Sequence, residues 1–222
     1  IDARGEEARK MKEEFSKGAQ QTRSIAFNVN RNTTDKHIDP SRGTVESATV
    51  EYAGGPLGGD SDFVKYFLSG KVFYPVTTST VLSGNILWAH VISTVGGRVP
   101  IFERFFLGGP YSIRGFKSLT ISPTDPNTGE RIGGNKELVA NVEYLFPLFG
   151  EFGFKGVLFF DAGNTWRQGD WPWDGEALKY AAGLGIRWYS PMGPLRFEWG
   201  WNLNPAPGEA KRVMEFTIGT AF

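Results

Sequence analysis

From Leu195 to Phe222 the chain alternates apolar and polar side chains, and no other feature constrains its fold as strongly. Leu195, Phe197, Trp199, Trp201 and Leu203 share one face of an extended strand, with Arg196, Glu198, Gly200 and Asn202 on the other, because successive strand residues point to opposite sides. Met214, Phe216, Ile218, Thr220 and Phe222 repeat the pattern against Glu215, Thr217, Gly219 and Ala221. The dry core of a soluble sandwich has no place for an arginine and a glutamate interleaved with tryptophans. A membrane barrel does, since its aromatic face meets lipid while its charged face meets a wet lumen. The pattern therefore predicts transmembrane β-strands, with Leu195, Phe197, Trp199 and Trp201 toward lipid and Arg196 and Glu198 inside.

The bulk composition is compatible with that reading and excludes others. The 24 basic and 24 acidic residues cancel, so no net field draws the chain toward nucleic acid. With no cysteine there is no disulfide, thiolate metal site or thiol nucleophile. A mean hydropathy of -0.28 is low for a helical membrane protein but ordinary for a barrel that shows only alternate residues to lipid. The most apolar stretch, Tyr144 to Gly163, is interrupted by Pro147, Glu151, Lys155 and Asp161, so it predicts two strands and a turn rather than a membrane helix. The start, Ile1-Asp-Ala-Arg-Gly-Glu-Glu, lacks the charged and then apolar run of a signal peptide. Because a barrel must be exported, the chain is expected to be a mature piece of something longer.

Glu6 to Lys17 carries Glu6/Lys10 and Glu13/Lys17 at helical spacing, which predicts a short helical insert within a loop over residues 1–20. Strands follow at Ile25 to Val29, Val45 to Tyr52, Tyr66 to Tyr74, Thr80 to Ile92, Leu138 to Phe146, Gly156 to Trp166, Tyr180 to Tyr189, Pro194 to Leu203 and Val213 to Phe222. The connections alternate short and long, as in barrels with short periplasmic turns and longer external loops. One of them, residues 94–135, is too long for an ordinary hairpin, and loops of that length usually carry function. Trp166, Trp171 and Trp173 fit an interfacial girdle. The tally is about nine strands, whereas bacterial single-chain barrels have even numbers.

Within the long loop, Gly108-Gly-Pro-Tyr-Ser-Ile-Arg-Gly-Phe116 resembles the signature loop of the BamA-type family of outer-membrane assembly and translocation barrels, whose core is an Arg-Gly-aromatic tip. Ile113, Arg114, Gly115 and Phe116 match that core. Asn141-Val-Glu-Tyr-Leu-Phe-Pro147 is similar to the family's Glu-bearing strand, and Phe159-Phe-Asp-Ala-Gly-Asn-Thr-Trp166 to its Phe-x-Asp-x-Gly strand. Ile218-Gly-Thr-Ala-Phe222 is similar to the closing strand. Four motifs in order cover nearly the whole chain. The resemblance implies an all-β, transmembrane antiparallel barrel, with residues 1–222 forming its C-terminal portion: about nine of roughly sixteen strands.

Alternation places Glu143 and Asp161 on the same side of neighbouring strands, where a guanidinium is able to satisfy both carboxylates. Arg114 is the natural candidate, and the resemblance implies the same arrangement, with the loop folded back into the barrel. Bond chemistry has little to stand on. A glycosidase-type carboxylate pair would be held ionised by the arginine, and His37 and His90 lack ligand spacing. Gly109 to Ser118 lacks the strand-loop-helix context of a phosphate loop, and Gly183-Leu-Gly185 lacks the third glycine of a dinucleotide fingerprint. No enzyme activity, cofactor or metal is expected.

The resemblance implies a protein of the cell outer membrane that assembles or inserts other outer-membrane barrels. Its partners would be membrane lipid, client β-barrel proteins and accessory assembly subunits, and not nucleic acid. Gly219 and Phe222 would belong to a closing strand whose weak pairing lets the seam open to a client edge. A translocation or autotransporter-assembly barrel of the same family and a passive porin are the alternatives.

Overall fold

The computed structural model of the chain describes residues 20–95, 99–149, 153–170, 177–190 and 193–219. Among these are nine strands: β1 (Ser24–Asn32), β2 (Gly43–Ala53), β3 (Phe63–Pro75), β4 (Val81–Ser93), β5 (Lys136–Phe149), β6 (Phe154–Trp166), β7 (Lys179–Ser190), β8 (Gly193–Asn202) and β9 (Arg212–Ile218). Two single 3-10 turns, Gly55–Leu57 and Ile101–Glu103, are the only helical elements among the described residues. The strands form one sheet in sequence order, each antiparallel to its neighbours. The sheet is open, with β1 and β9 at its edges.

Registers keep apolar side chains together on one face. Phe197 lies opposite Phe216 with ring centroids 4.4 Å apart, and Phe154 stacks on Trp188 at 5.3 Å. Such cross-strand aromatic pairs stabilise by about 0.2–1 kcal/mol each. In β8, Arg196, Glu198, Gly200 and Asn202 are buried, while Phe197 and Trp201 are exposed and Leu195 and Trp199 half-buried. β9 likewise exposes Met214, Phe216 and Ile218 and buries Glu215. The outer face is thus apolar and uncovered, as a lipid-facing surface must be. On the inner face, buried clusters form where residues 94–135 pack against the strands. One contains Phe63, Ala89, Val91, Val99 and Phe105, and another Leu107, Ile113, Phe116, Ile121, Val139 and Ala181.

Several expectations change. Residues 1–19, which hold the expected helical insert, lie outside the described residues. The alternation of loop lengths fails at the first hairpin, where residues 33–42 form a connection as substantial as residues 54–62. That connection is held together by Asp35, which accepts from the Ser41 amide and hydroxyl and from the Arg42 amide. Trp166 is fully buried, so it is no part of an exposed girdle, and Trp171 and Trp173 lie outside the described residues. β9 runs to Ile218, where the expected strand continues to Phe222; Gly219 has left the strand conformation, and residues 220–222 lie outside the described residues.

The outward and inward assignment is checked by spin labels at Leu68 and Ser69 of β3. Alternation makes the first accessible to oxygen dissolved in lipid and the second to a water-soluble nickel quencher. Equal responses at both positions would remove the assignment.

Candidate functional site

The long loop folds back onto the inner wall as a narrow double strand. Phe105 and Gly134 exchange backbone hydrogen bonds at 2.8 Å, Leu107 and Ile121 do so at 2.9 Å, and the Gly109 amide donates to Phe116 O at 3.1 Å. These bonds deliver a tip formed by Ile113, Arg114, Gly115 and Phe116 to the inner faces of β5 to β8. Ile113 and Phe116 are buried, and each stabilises docking by about 1.5–3 kcal/mol of apolar burial.

Arg114 is the centre of the contact. Its Nε and Nη2 donate to the two oxygens of Asp161 at 2.8 and 2.7 Å, and its own backbone amide donates to Asp161 Oδ2 at 3.0 Å. Its Nη1 reaches Glu143 Oε1 at 2.7 Å and Glu198 Oε1 at 3.3 Å. The guanidinium also lies 3.6 Å above the centroid of Phe159, a cation–π arrangement that desolvation strengthens. The structure therefore brings Arg114, Glu143 and Asp161 together, the acids coming from β5 and β6.

The wall contributes more than those two acids. Arg187 of β7 reaches both oxygens of Glu143 at 3.0 and 2.6 Å and donates to Glu198 Oε1 at 2.7 Å. Arg196 of β8 donates to Glu198 Oε2 at 3.0 Å. Arg114, Arg187 and Arg196 thus face Glu143, Asp161 and Glu198, a balance of charges that makes their burial tolerable. Asn141 completes the network, donating to Asp161 Oδ1 and to Ser112 O, both at 2.8 Å. Alternation places Arg196 and Glu198 inward without joining them to the site, and Arg187 is not among the residues expected there. The signal for Arg187 was its place on the inward face with Gly183 and Gly185.

Glycines create the room. Gly115 has φ +84, and a Cβ on Gly200 would lie 2.4 Å from the Gly115 nitrogen, so the tip meets β8 backbone to backbone. Gly183 leaves space for the Phe159 ring, which a Cβ there would meet at 2.2 Å.

Two ion pairs hold the periphery of the loop. Near its start, Lys65 of β3 pairs with Glu103. Lys179 of β7 lies 5.9 Å from the Phe116 ring centroid and pairs with Glu209 at 3.1 Å. Partial burial opposes ionisation of Glu209, but the Ala206 amide and Lys179 hold its carboxyl below the usual range. The Lys179 contact therefore survives mild acid and is lost only as pH falls through that lowered value.

Gly219 stands just past β9 with φ +106, its amide donating to Pro194 O at 3.0 Å. It ends the strand rather than weakening its interior. Phe222 lies outside the described residues.

An open antiparallel sheet with an apolar outer face and a loop ion-paired to its inner wall defines an outer-membrane β-barrel segment. Residues 2–222 match the Omp85 superfamily domain, and the chain belongs to that superfamily. It is 40% identical over 195 residues to the outer membrane protein assembly factor BamA of Nitratidesulfovibrio vulgaris, covering 86% of this chain and 24% of that protein. The Sorting and assembly machinery component 50 homolog B of Xenopus laevis is 32% identical over 150 residues, covering 64% of this chain and 31% of that protein. The chain thus spans from just under a quarter to just under a third of these relatives' length. In fold it is similar to BamA from Haemophilus ducreyi lacking POTRA domains 1-3, with a TM-score of 0.76 and 22% identity over 87% of this chain and 41% of that one. CdiB from Acinetobacter baumannii gives 0.63 and 16%, over 90% of this chain and 34% of that one.

Removing Arg114 tests the docking. Arg114→Ala strands Asp161 while Glu143 and Glu198 keep Arg187, so the expected loss is about 3 kcal/mol, toward the low end for breaking a buried pair. Arg114→Lys restores only part of it, since an ammonium lacks the planar fork. The measurement is limited proteolysis between Thr94 and Asn135 together with chemical denaturation. Parental resistance and stability in Arg114→Ala would refute the anchoring role. Independently, Gly200→Ala forces Gly115 away from β8 and exposes the same stretch to protease with all charges in place.

Proposed function

We propose that this chain is the C-terminal portion, residues 1–222, of a barrel that assembles and inserts other outer-membrane β-barrel proteins. No bond chemistry is involved, in keeping with relatives named as an outer membrane protein assembly factor and a sorting and assembly machinery component. The observation that carries the proposal is the salt-bridged tip of the 94–135 loop. By joining β5, β6 and β8 through one guanidinium, it makes the wall next to the β9 edge stiff. A client strand adding to an edge needs a template whose amides and carbonyls stay in register. β9 is such an edge: among the described residues it pairs with β8 alone, and there Glu215 Oε2 and Thr217 Oγ1 on its inner face are buried with no hydrogen-bond partner. Under this proposal Ile113, Arg114, Gly115 and Phe116 are the functional loop, Glu143 and Asp161 its clamp, and Gly219 and Phe222 belong to the seam. Client barrels and accessory subunits are the expected partners.

A passive porin fits less well, because the loop packs into the inner face instead of leaving it open. Translocation by a barrel of the same family would need a path past the docked tip.

The test uses the full-length protein in liposomes, with folding of a client barrel followed by its heat-dependent gel mobility. Arg114→Ala is expected to slow client folding several-fold while the protein itself remains inserted. Normal client folding by that variant would remove the docked loop from the mechanism. For the seam, Gly219→Val is expected to extend β9 past Ile218, because valine does not hold φ +106, and to lower client insertion at unchanged folded amount. Unaltered insertion would exclude Gly219 from the seam.

A further inference from the structure

On the outer face, β1 to β4 enclose a groove of about 560 Å³ lined by Val29, Ala48, Leu68, Gly70, Ile86 and Trp88, with Arg31 and Glu46 at one end. The small side chains of Ala48 and Gly70 make the depression. A Cβ at Gly70 would meet nothing closer than Ile86 Cγ2 at 3.9 Å, so the backbone does not require glycine there and the space is open. Strand alternation puts this groove on the side that faces lipid.

The charged end is unusual for such a surface. Arg31 and Glu46 are register partners next to the 33–42 turn, in contact at 3.2 Å, yet their side chains are 70% and 45% exposed. An ion pair so exposed contributes little to stability, and charged side chains on the lipid face are tolerated only near the interface. Neither residue is saturated. Among the described residues Arg31 donates only from Nη1, leaving Nε and Nη2 without a protein partner. Glu46 accepts from Thr44 Oγ1 and from Arg31, which leaves further lone pairs.

We propose that this groove is a binding site for a zwitterionic phospholipid bearing an amine headgroup. The phosphate takes the unused Arg31 donors, the ammonium takes Glu46, and an acyl chain lies along Val29, Leu68 and Ile86 in the dent over Gly70. An adjacent cation and anion complement a zwitterion. An anionic headgroup gains the arginine but meets the Glu46 carboxylate, so the site discriminates between the two. Its position beside the connection joining β1 to β2, on the same end of the sheet as the short connection 76–80 between β3 and β4, assigns it to the periplasmic leaflet. The proposal stands on membrane placement and does not depend on the assembly role of the loop.

The experiment incubates purified full-length protein in detergent with vesicles of phosphatidylethanolamine or of phosphatidylglycerol, re-isolates it, and quantifies bound lipid by mass spectrometry. Phosphatidylethanolamine is expected to be retained in preference to phosphatidylglycerol. Arg31→Ala and Glu46→Ala should each lower its retention by about three- to five-fold, the scale of one exposed charged contact. Gly70→Leu fills the groove with both charges intact and should lower retention as well, while heat-modifiable mobility confirms that each variant is folded. Equal retention of the two lipids by the parent, or undiminished phosphatidylethanolamine on all three folded variants, would overturn the proposal.

Discussion

The inner wall depends on a local balance of charge. Three guanidiniums and three carboxylates share a site with little access to water, and burying any one alone would be prohibitive. Their order of dependence is informative. Glu143 and Glu198 are both served by Arg187, a neighbour within the wall. Asp161 receives guanidinium hydrogen bonds, among the described residues, from Arg114 alone. The wall therefore keeps most of its own electrostatic integrity, and the loop supplies the remaining charge. This makes the docked loop a separable part whose tip is anchored chiefly by one arginine, with apolar contacts, the Asn141–Ser112 hydrogen bond and the Lys65–Glu103 pair in support.

Shape supports the same division. The strands around the site carry glycine where the tip arrives, so the loop backbone approaches the sheet backbone at Gly115 and Gly200 more closely than any other residue pair there would allow. Apolar contacts of Ile113 and Phe116 seat the tip, and the arginine then finds its acids at hydrogen-bond distance. Packing supplies position and the ion network supplies selectivity for arginine, because a planar five-donor fork is needed to serve three acids from one point. On the opposite face the requirements invert: rings and branched chains meet lipid, and an exposed ion pair, Arg31 with Glu46, stands near the strand ends.

Period-2 alternation made the strands and their facing legible in the sequence, since one face had to be apolar throughout and a slip by one residue would have reversed it. All nine expected strands are present, with ends shifted by a few residues. The inward positions of Glu143, Asp161, Arg196 and Glu198 follow from the same period. The Arg-Gly-Phe motif and its acids were visible as a resemblance. The chain sequence thus determined the strand order, the lipid and lumen faces, and the residue types able to meet inside.

The tertiary structure decided which of them do meet. Nothing in the local pattern distinguishes Arg187 from any other inward side chain, because its partners lie one and two strands away and become neighbours only through the register of β5 to β8. The same holds for Gly200, whose need to be glycine arises from a loop some eighty-five residues earlier in the chain. Gly219 shows the reverse limit: alternation assigned it to a strand interior, but its positive φ, a backbone property invisible to side-chain periodicity, places it at the strand's end. Periodicity records which face a residue is on, and long-range contact determines what it touches there.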